Sequence, residues 1–486
     1  MYLAVFFSKK PYYCIMGNRT NQFLNEIFLY IAFLFLIVFG HNFHASAQEK
    51  CFVNTIKIEG NKRTFSSIIL REMSFQPGDS VEVSKIEEQI NRSKQNLNNT
   101  NLFLTIDIRH RLENHVLDVY ILVNERWYLI ALPEILLADR SFNEWWYDRG
   151  CDLNRLTYGI NAKHFNLTGG NDQLKLRAMG GFIPYFELSY SKPYIDKRKR
   201  VGIRTGVFYS TQRTIAYRTW NDKLDFFNTE NRMRERTGGF FELRLRNALY
   251  HFHSFSIGFS SSKISDTLSS LNPQYFGENN HKLSFWNLAY DYRFDFRDNR
   301  QYPLKGLLYF SQLSASISNS GYFQTNLFAS LSIYKPISGR FFFESNIRGK
   351  VSTPKKQLYT TLRGLGFENN LVRGYELYVI DGQNYGIFKN TIRFQLVKTE
   401  LSLTKFTRMA QFKTLPLAIY PNFYFDIGYI KNYFPEYSNS KLSNQLLKGG
   451  GIGLDYVTWY NTTARTYYSI NQMGERKLFF GIFREF

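Results

Sequence analysis

Two patterns of apolar and polar positions divide this chain. From Cys51 to about Trp127 the period changes from one element to the next. In FVNTIKIEG, Ile56 and Ile58 stand at period two and the run ends in a Gly-Asn turn, which predicts a strand. In TFSSIILREM, Phe65, Ile68, Ile69 and Met73 recur at helical spacing behind Thr64 as a cap. PGD breaks the chain. SKIEEQINRSKQNL then opens on Ser84 and Glu87 as a capping box, with Ile86, Ile90 and Leu97 on one face. Two strands follow, LFLTIDIRH and HVLDVYILVNE, the second alternating at Leu117, Val119, Ile121 and Val123. The order β-α-α-β-β predicts a small self-folding α+β domain over residues 48–127.

After residue 150 no convincing helical period appears, and segments of about ten residues alternate strictly. In WNLAYDYRFDFR one face carries Trp286, Leu288, Tyr290, Tyr292, Phe294 and Phe296. The other carries Asn287, Ala289, Asp291, Arg293, Asp295 and Arg297. RLTYGINAK alternates Leu156, Tyr158, Ile160 and Ala162 with Arg155, Thr157, Asn161 and Lys163, and QLKLRAM repeats the pattern. Soluble β-sandwiches alternate too, but with shorter strands and without such long aromatic rows. A row of aromatics opposite a row of charges fits a barrel with lipid outside and water inside, closed because no backbone group can stay unpaired in lipid. About sixteen such segments start near residues 155, 172, 185, 200, 213, 237, 252, 281, 304, 321, 339, 385, 415, 446, 462 and 476. The expected fold class is therefore mainly β: a sixteen-stranded antiparallel transmembrane β-barrel over residues 155–486, joined by a linker at 128–154 to the α+β domain.

Composition agrees: 18% of the 486 residues are aromatic, and charge interrupts the apolar runs too often for membrane helices. The net charge of +21 first suggests nucleic acid, but the Lys and Arg residues are spread singly between apolar ones. Channel walls, solvated faces and anionic membrane surfaces account for scattered charge better, so no nucleic-acid partner is expected. FLYIAFLFLIVF (residues 28–39) has Arg19 upstream and an A-x-A site at Ala45 and Ala47 downstream. That predicts a secretory signal peptide over residues 1–47, the run being short for a membrane anchor. Three cysteines exclude a disulfide scaffold, although Cys51 and Cys151 enter an oxidising compartment and a bridge between them stays open. No nucleophile elbow, HExxH, Walker loop or Cys/His metal spacing is present, so neither enzyme chemistry nor a cofactor is expected. The GGG at 449–451 leads into a strand and is no phosphate loop. His251 and His253 have metal-compatible spacing but no carboxylate partner, and read as wall residues.

One irregular stretch, NLVRGYELY, lies between two strand-like runs and sets Val372, Arg373, Gly374 and Tyr375 together. Downstream, AIYPNFYFDIGYI places Phe423, Phe425 and Ile427 on one face and Asn422, Tyr424, Asp426 and Gly428 on the other. Asp426 thus points to the lumen, where a charge is tolerated, and Gly374 allows a tight turn. A domain of this order, a sixteen-strand barrel, VRGY in a long loop and FDIG on a later strand resemble the POTRA-barrel superfamily of outer-membrane assembly and translocation proteins. That superfamily includes BamA-like, TamA-like and surface-antigen-like proteins and the two-partner secretion transporters.

The resemblance implies that loop 352–384 folds inward and that Arg373 meets Asp426 of the Phe425–Asp426–Gly428 motif. It implies a C-terminal strand signal, with Gly481 and Phe486 in KLFFGIFREF; Arg484 departs from it, because an apolar residue is usual there. It further implies a Gram-negative outer membrane with the α+β domain in the periplasm, and a protein that inserts or translocates polypeptides without enzymatic activity. Unfolded outer-membrane or secreted clients, outer-membrane lipid and accessory lipoproteins are the implied partners. Clients would enter by strand addition and leave through the pore or through a seam between RLTYGINAK and RKLFFGIFREF. Gly159 and Gly481 either weaken that seam or relieve wall packing. The alternatives are a passive porin-like or enzyme-bearing barrel, or a dedicated two-partner transporter. The few residues between Ala47 and the first strand leave no room for such a transporter's plug helix.

Overall fold

The computed structural model describes residues 49–484 apart from 197, 199, 278–279, 368, 403–413 and 459–461. The signal peptide at 1–47 and the terminal Phe486 lie outside the described residues. The N-terminal domain comprises β1 (Lys50–Glu59), α1 (Ser66–Glu72), the short β2 (Ser80–Glu82), α2 (Ile86–Asn98), β3 (Phe103–Glu113) and β4 (Val116–Glu125). Its sheet has the order β2-β1-β4-β3, with β1 and β4 parallel and β3 antiparallel to β4. Alternation drives one face inward: Val53, Ile106, Leu117, Val119, Ile121 and Val123 bury against Ile68, Ile69, Ile90 and Leu97 of the two helices. Among the described residues no strand pairs with the opposite edge of β3.

The barrel strands are β5 (Leu129–Leu137), β6 (Leu156–Phe165), β7 (Gln173–Gly181), β8 (Tyr185–Lys192) and β9 (Val201–Gln212). After the excursion β10 (Ile215–Trp220) and β11 (Lys223–Phe227) come β12 (Arg234–Ala248), β13 (His251–Ile264), β14 (Lys282–Asp295), β15 (Gly306–Ser318), β16 (Phe323–Ser338) and β17 (Phe341–Thr353). The ring ends with β18 (Asn384–Phe394), β19 (Val397–Ser402), β20 (Thr414–Lys431), β21 (Leu446–Thr458), β22 (Thr462–Asn471) and β23 (Arg476–Arg484). β18 and β19 both pair with β20, along successive parts of it, so seventeen segments fill sixteen ring positions and β23 closes on β5. Apolar positions face out along every wall (Trp286 is 51% exposed, Ile452 62%), whereas Asp291 and its partners Ser254 and Gln312 face in. Among the described residues no helix is long and apolar enough to cross a membrane, which says nothing of the barrel.

The count of sixteen is reached by a different set of strands from the expected one. The stretch 128–154 is not a linker: it contains the first barrel strand, β5, and the helix α3 (Phe142–Asp148). The segment near 213 is no barrel strand, because β10 and β11 form a separate two-stranded sheet. Short helices do occur after residue 150, as at Asp266–Leu271. RLTYGINAK is the second strand, β6, and so does not line the seam. A Cβ on Gly159 would lie 2.0 Å from the Ala178 carbonyl oxygen, which identifies this glycine as packing relief. Cys51 is buried in the N-terminal domain, Cys151 lies in the loop after α3, and both are free. His251 and His253 share hydrogen bonds with Tyr292 and Tyr290 on the outer wall, 2.8 and 2.9 Å long.

The domain is clamped to its end of the barrel. Glu72 of α1, 4% exposed, accepts both Nη groups of Arg246 from β12, one at 2.8 Å, and the Tyr194 hydroxyl at 3.1 Å. Thr64 Oγ1 shares a 2.8 Å hydrogen bond with the Tyr128 hydroxyl and accepts Asn166 Nδ2 at 2.9 Å, and the Phe65 amide donates to Gly169 O. Burial alone would push the Glu72 carboxyl up, but Arg246, helped by Arg71, holds it below the ordinary carboxylate range. A carboxyl depressed in this way stabilises the docked state above the ordinary carboxylate range, and the contribution is lost as pH falls below it. Glu72→Gln should weaken docking by about 3–5 kcal/mol by stranding buried Arg246. Spin-label distances between domain and barrel should broaden in the variant at neutral pH and in the wild type only in acid.

Candidate functional site

Residues 354–383, between β17 and β18, turn back into the lumen. An isolated bridge between Leu365 and Ile380 makes this stretch a closed lobe, and Val372, Tyr375 and Leu365 bury against Ile387, Ile430 and Leu447 of the wall. At the tip, Arg373 Nε and Nη2 meet the two carboxylate oxygens of Asp426 on β20 at 2.8 and 2.5 Å. The Arg373 amide adds a third hydrogen bond to Asp426 at 3.1 Å. The guanidinium also donates to Thr391 Oγ1 and Asn390 O, and lies over the Tyr424 ring, 3.9 Å from its centroid. Asp426 has no exposed surface and Arg373 is 8% exposed. This is a desolvated, two-point ion pair whose Nη2 also donates to the neighbouring strand β18, the case in which a buried pair holds geometry.

Neighbouring residues shape the seat. Gly374 has φ +102°, where a side chain would be strained; its amide donates to Glu376 and its carbonyl accepts Asn471 Nδ2 at 3.0 Å. The lobe lies directly on wall glycines. A Cβ at Gly449 would sit 1.8 Å from Arg373 O, and one at Gly428 would sit 2.4 Å from Val372 Cγ2. The structure thus brings Val372, Arg373, Gly374, Tyr375, Asp426 and Gly428 together. Phe425 faces outward, 44% exposed, as alternation requires. Gly481 lies on β23 opposite Arg465 of β22, away from this cluster. Sequence reasoning missed Tyr424, Thr391, Glu376 and Asn471, and passed over Gly449, whose triple-glycine signal was visible.

A second feature lies at the seam. The Asn143 side chain of α3 accepts from the Phe480 amide at 2.9 Å and donates to the Phe480 carbonyl at 3.0 Å. Tyr147 donates to Leu478 O at 2.8 Å, and Phe142 and Tyr147 stack edge-on against Phe480 and Phe479. Side chains of a helix thus satisfy backbone groups of β23. Arg140, just before α3, donates to Gly366 O and Tyr378 O, linking the seam helix to the inward lobe.

Residues 52–126 match the family model described as POTRA, surface antigen variable number repeat. Among solved structures, the chain is similar to BamA from Haemophilus ducreyi lacking POTRA domains 1–3, with TM-score 0.50 and 14% identity over 89% of this chain and 85% of that one. The chain joins a POTRA domain to a barrel of this fold. CdiB from Escherichia coli is similar with TM-score 0.52 and 12% identity, covering 88% of this chain and 75% of that one. At such identities the likeness is one of fold. No curated protein sequence matches.

Arg373→Ala or Asp426→Ala should each leave a buried charge unpaired and destabilise lobe seating by about 3–5 kcal/mol. The double variant should cost less than the sum. Hydrogen exchange of amides 372–378 should quicken while heat-modifiability of the barrel stays unchanged; wild-type exchange in both single variants would refute the clamp. Asn143→Ala should cost about 1–3 kcal/mol at the seam, read as faster exchange at the Phe480 amide.

Proposed function

We propose that the protein resides in a bacterial outer membrane, with its POTRA domain in the periplasm, and inserts or translocates client polypeptides without covalent chemistry. The observation that carries this reading is the Arg373–Asp426 clamp, which holds a folded lobe inside the lumen above a docked POTRA domain. A passive pore has no use for either part. The open edge of β3, eleven residues long, supports the POTRA domain as a receiver that adds a client strand. The side-chain-held seam supports an exit into the membrane, and the lumen supports an exit through it.

The test is planar-bilayer conductance of the full chain, with unfolded outer-membrane barrel clients or secretory clients added in turn to the POTRA side. Client-dependent block or altered gating is expected. A response to barrel clients alone favours insertion, and one to secretory clients favours translocation. Steady conductance indifferent to both, from either side, would overturn the reading in favour of a porin.

A further inference from the structure

The connection from β14 to β15 does something that its neighbours do not. Strands β12 and β13, and β16 and β17, are joined on the POTRA side by residues 249–250 and 339–340, whereas β14 and β15 are joined by residues 296–305. This longer turn has a built neck. Asp295 takes Arg297 at 2.8 and 2.9 Å, the Asp298 amide donates to Lys305 O, and Asp298 Oδ1 accepts the Leu304 amide at 3.1 Å. At Gly306, φ is +120° and a Cβ would lie 2.1 Å from Phe296 O, so only glycine lets the chain rejoin the wall there.

The tip crosses the floor of the lumen. The Tyr302 hydroxyl donates to Asp455 Oδ2 of β21 at 2.8 Å, its ring lies 4.8 Å from that of Tyr420 on β20, and the Arg393 guanidinium of β18 covers it at 4.8 Å. Strands β16 and β17 stand between the turn's own wall and β18, the nearest of the three. Asp455 has no exposed surface, yet three of its four hydrogen bonds come from the wall: two from Arg465, at 2.6 and 2.9 Å, and one from Asn422 at 3.1 Å. Departure of Tyr302 therefore leaves the buried carboxylate compensated. That is the property a releasable contact needs, since an uncompensated buried charge would forbid release.

The POTRA domain touches the root of the same turn. Arg300 lies 3.4 Å from Asp295 and donates to the carbonyl of Asn99, just past α2. Arg92 of α2 donates to the Tyr250 hydroxyl and covers the Phe296 ring at 4.1 Å. We propose that residues 296–305 form a gate on the POTRA side of the lumen, latched by Tyr302 on Asp455 and governed at its root by the POTRA domain through Arg300. The inference rests on the lumen being a path for clients. Its test reads lumen access and not client handling, so the two fail separately.

The experiment places Ser314→Cys on the inner wall of β15, in a full chain with Cys151→Ser, reconstituted with the POTRA domain outward. Labelling by a charged, membrane-impermeant maleimide is timed. Removing a hydrogen bond to a buried carboxylate should raise the open population and the labelling rate about tenfold or more in Tyr302→Ala. Tyr302→Phe, which keeps the ring, guards against misfolding and should rise in the same direction. Arg300→Ala should raise the rate with the latch intact. Wild-type rates in Tyr302→Ala and Tyr302→Phe, both still heat-modifiable, would overturn the gate.

Discussion

A β-strand placed in hydrocarbon has nowhere to send its N–H and C=O groups except to another strand. Everything else in this molecule is arranged around that constraint. It forces the ring to close, so the chain has to return its last strand, β23, to its first, β5. It makes the walls other than β5 alternate, so charge is delivered to the lumen whether or not it has a use there. It also makes the seam the one place where a substitute for a strand can be tried. Asn143 is such a substitute: its amide presents one donor and one acceptor, the complement that a strand residue would offer to Phe480. A side-chain pair thus supplements the closure of β23 on β5 at that edge.

The buried carboxylates of the lumen and of the domain joint follow a common rule. Asp426, Asp455 and Glu72 are all but removed from solvent, and each is met by an arginine engaging both carboxylate oxygens. They differ in where the arginine comes from. For Asp455 it stands on the adjacent strand, so the carboxylate is satisfied within the wall and can lend its last lone pair to a visitor such as Tyr302. For Asp426 it arrives on the lobe, and for Glu72 it joins two domains. Those two pairs therefore resist separation, because parting them strands a buried charge on each side. The same chemistry thus sets two joints as fixed and one as releasable.

How much of this was legible in the sequence depended on whether the signal was local. The dyad rows of β14 and the helical stripes of the POTRA domain were readable because alternation and the 3.6 period are written into neighbouring residues. The Arg373–Asp426 pair was readable because both ends carry a motif. β5 was not: LIALPEILL sets Leu129, Ile130, Ala131 and Leu132 in a row with Pro133, and so lacks the alternation that marks the other strands. β10 was misplaced for the converse reason, since a hairpin outside the ring alternates like a wall strand. The turn 296–305 was invisible, because Tyr302 gains its meaning only from Asp455 on a distant strand.

The triple glycine at 449–451 shows why such distant relations still leave traces. A transmembrane strand has no local reason for three successive glycines, which weaken it. The reason lies upstream in the chain, where Arg373 brings its own carbonyl within 1.8 Å of the place a Gly449 side chain would take. Gly451 answers to a different neighbour, since a Cβ there would meet Tyr468 O at 1.9 Å, while Gly450 is less confined. Two of the three glycines are therefore fixed by close approach, and only Gly449 by the lobe. A wall with a side chain at Gly449 would still close, because the ladder between β20 and β21 is backbone alone. It would not seat the lobe, and Arg373 would reach Asp426 only after displacing its own main chain. The glycine belongs to the clamp as much as the arginine does.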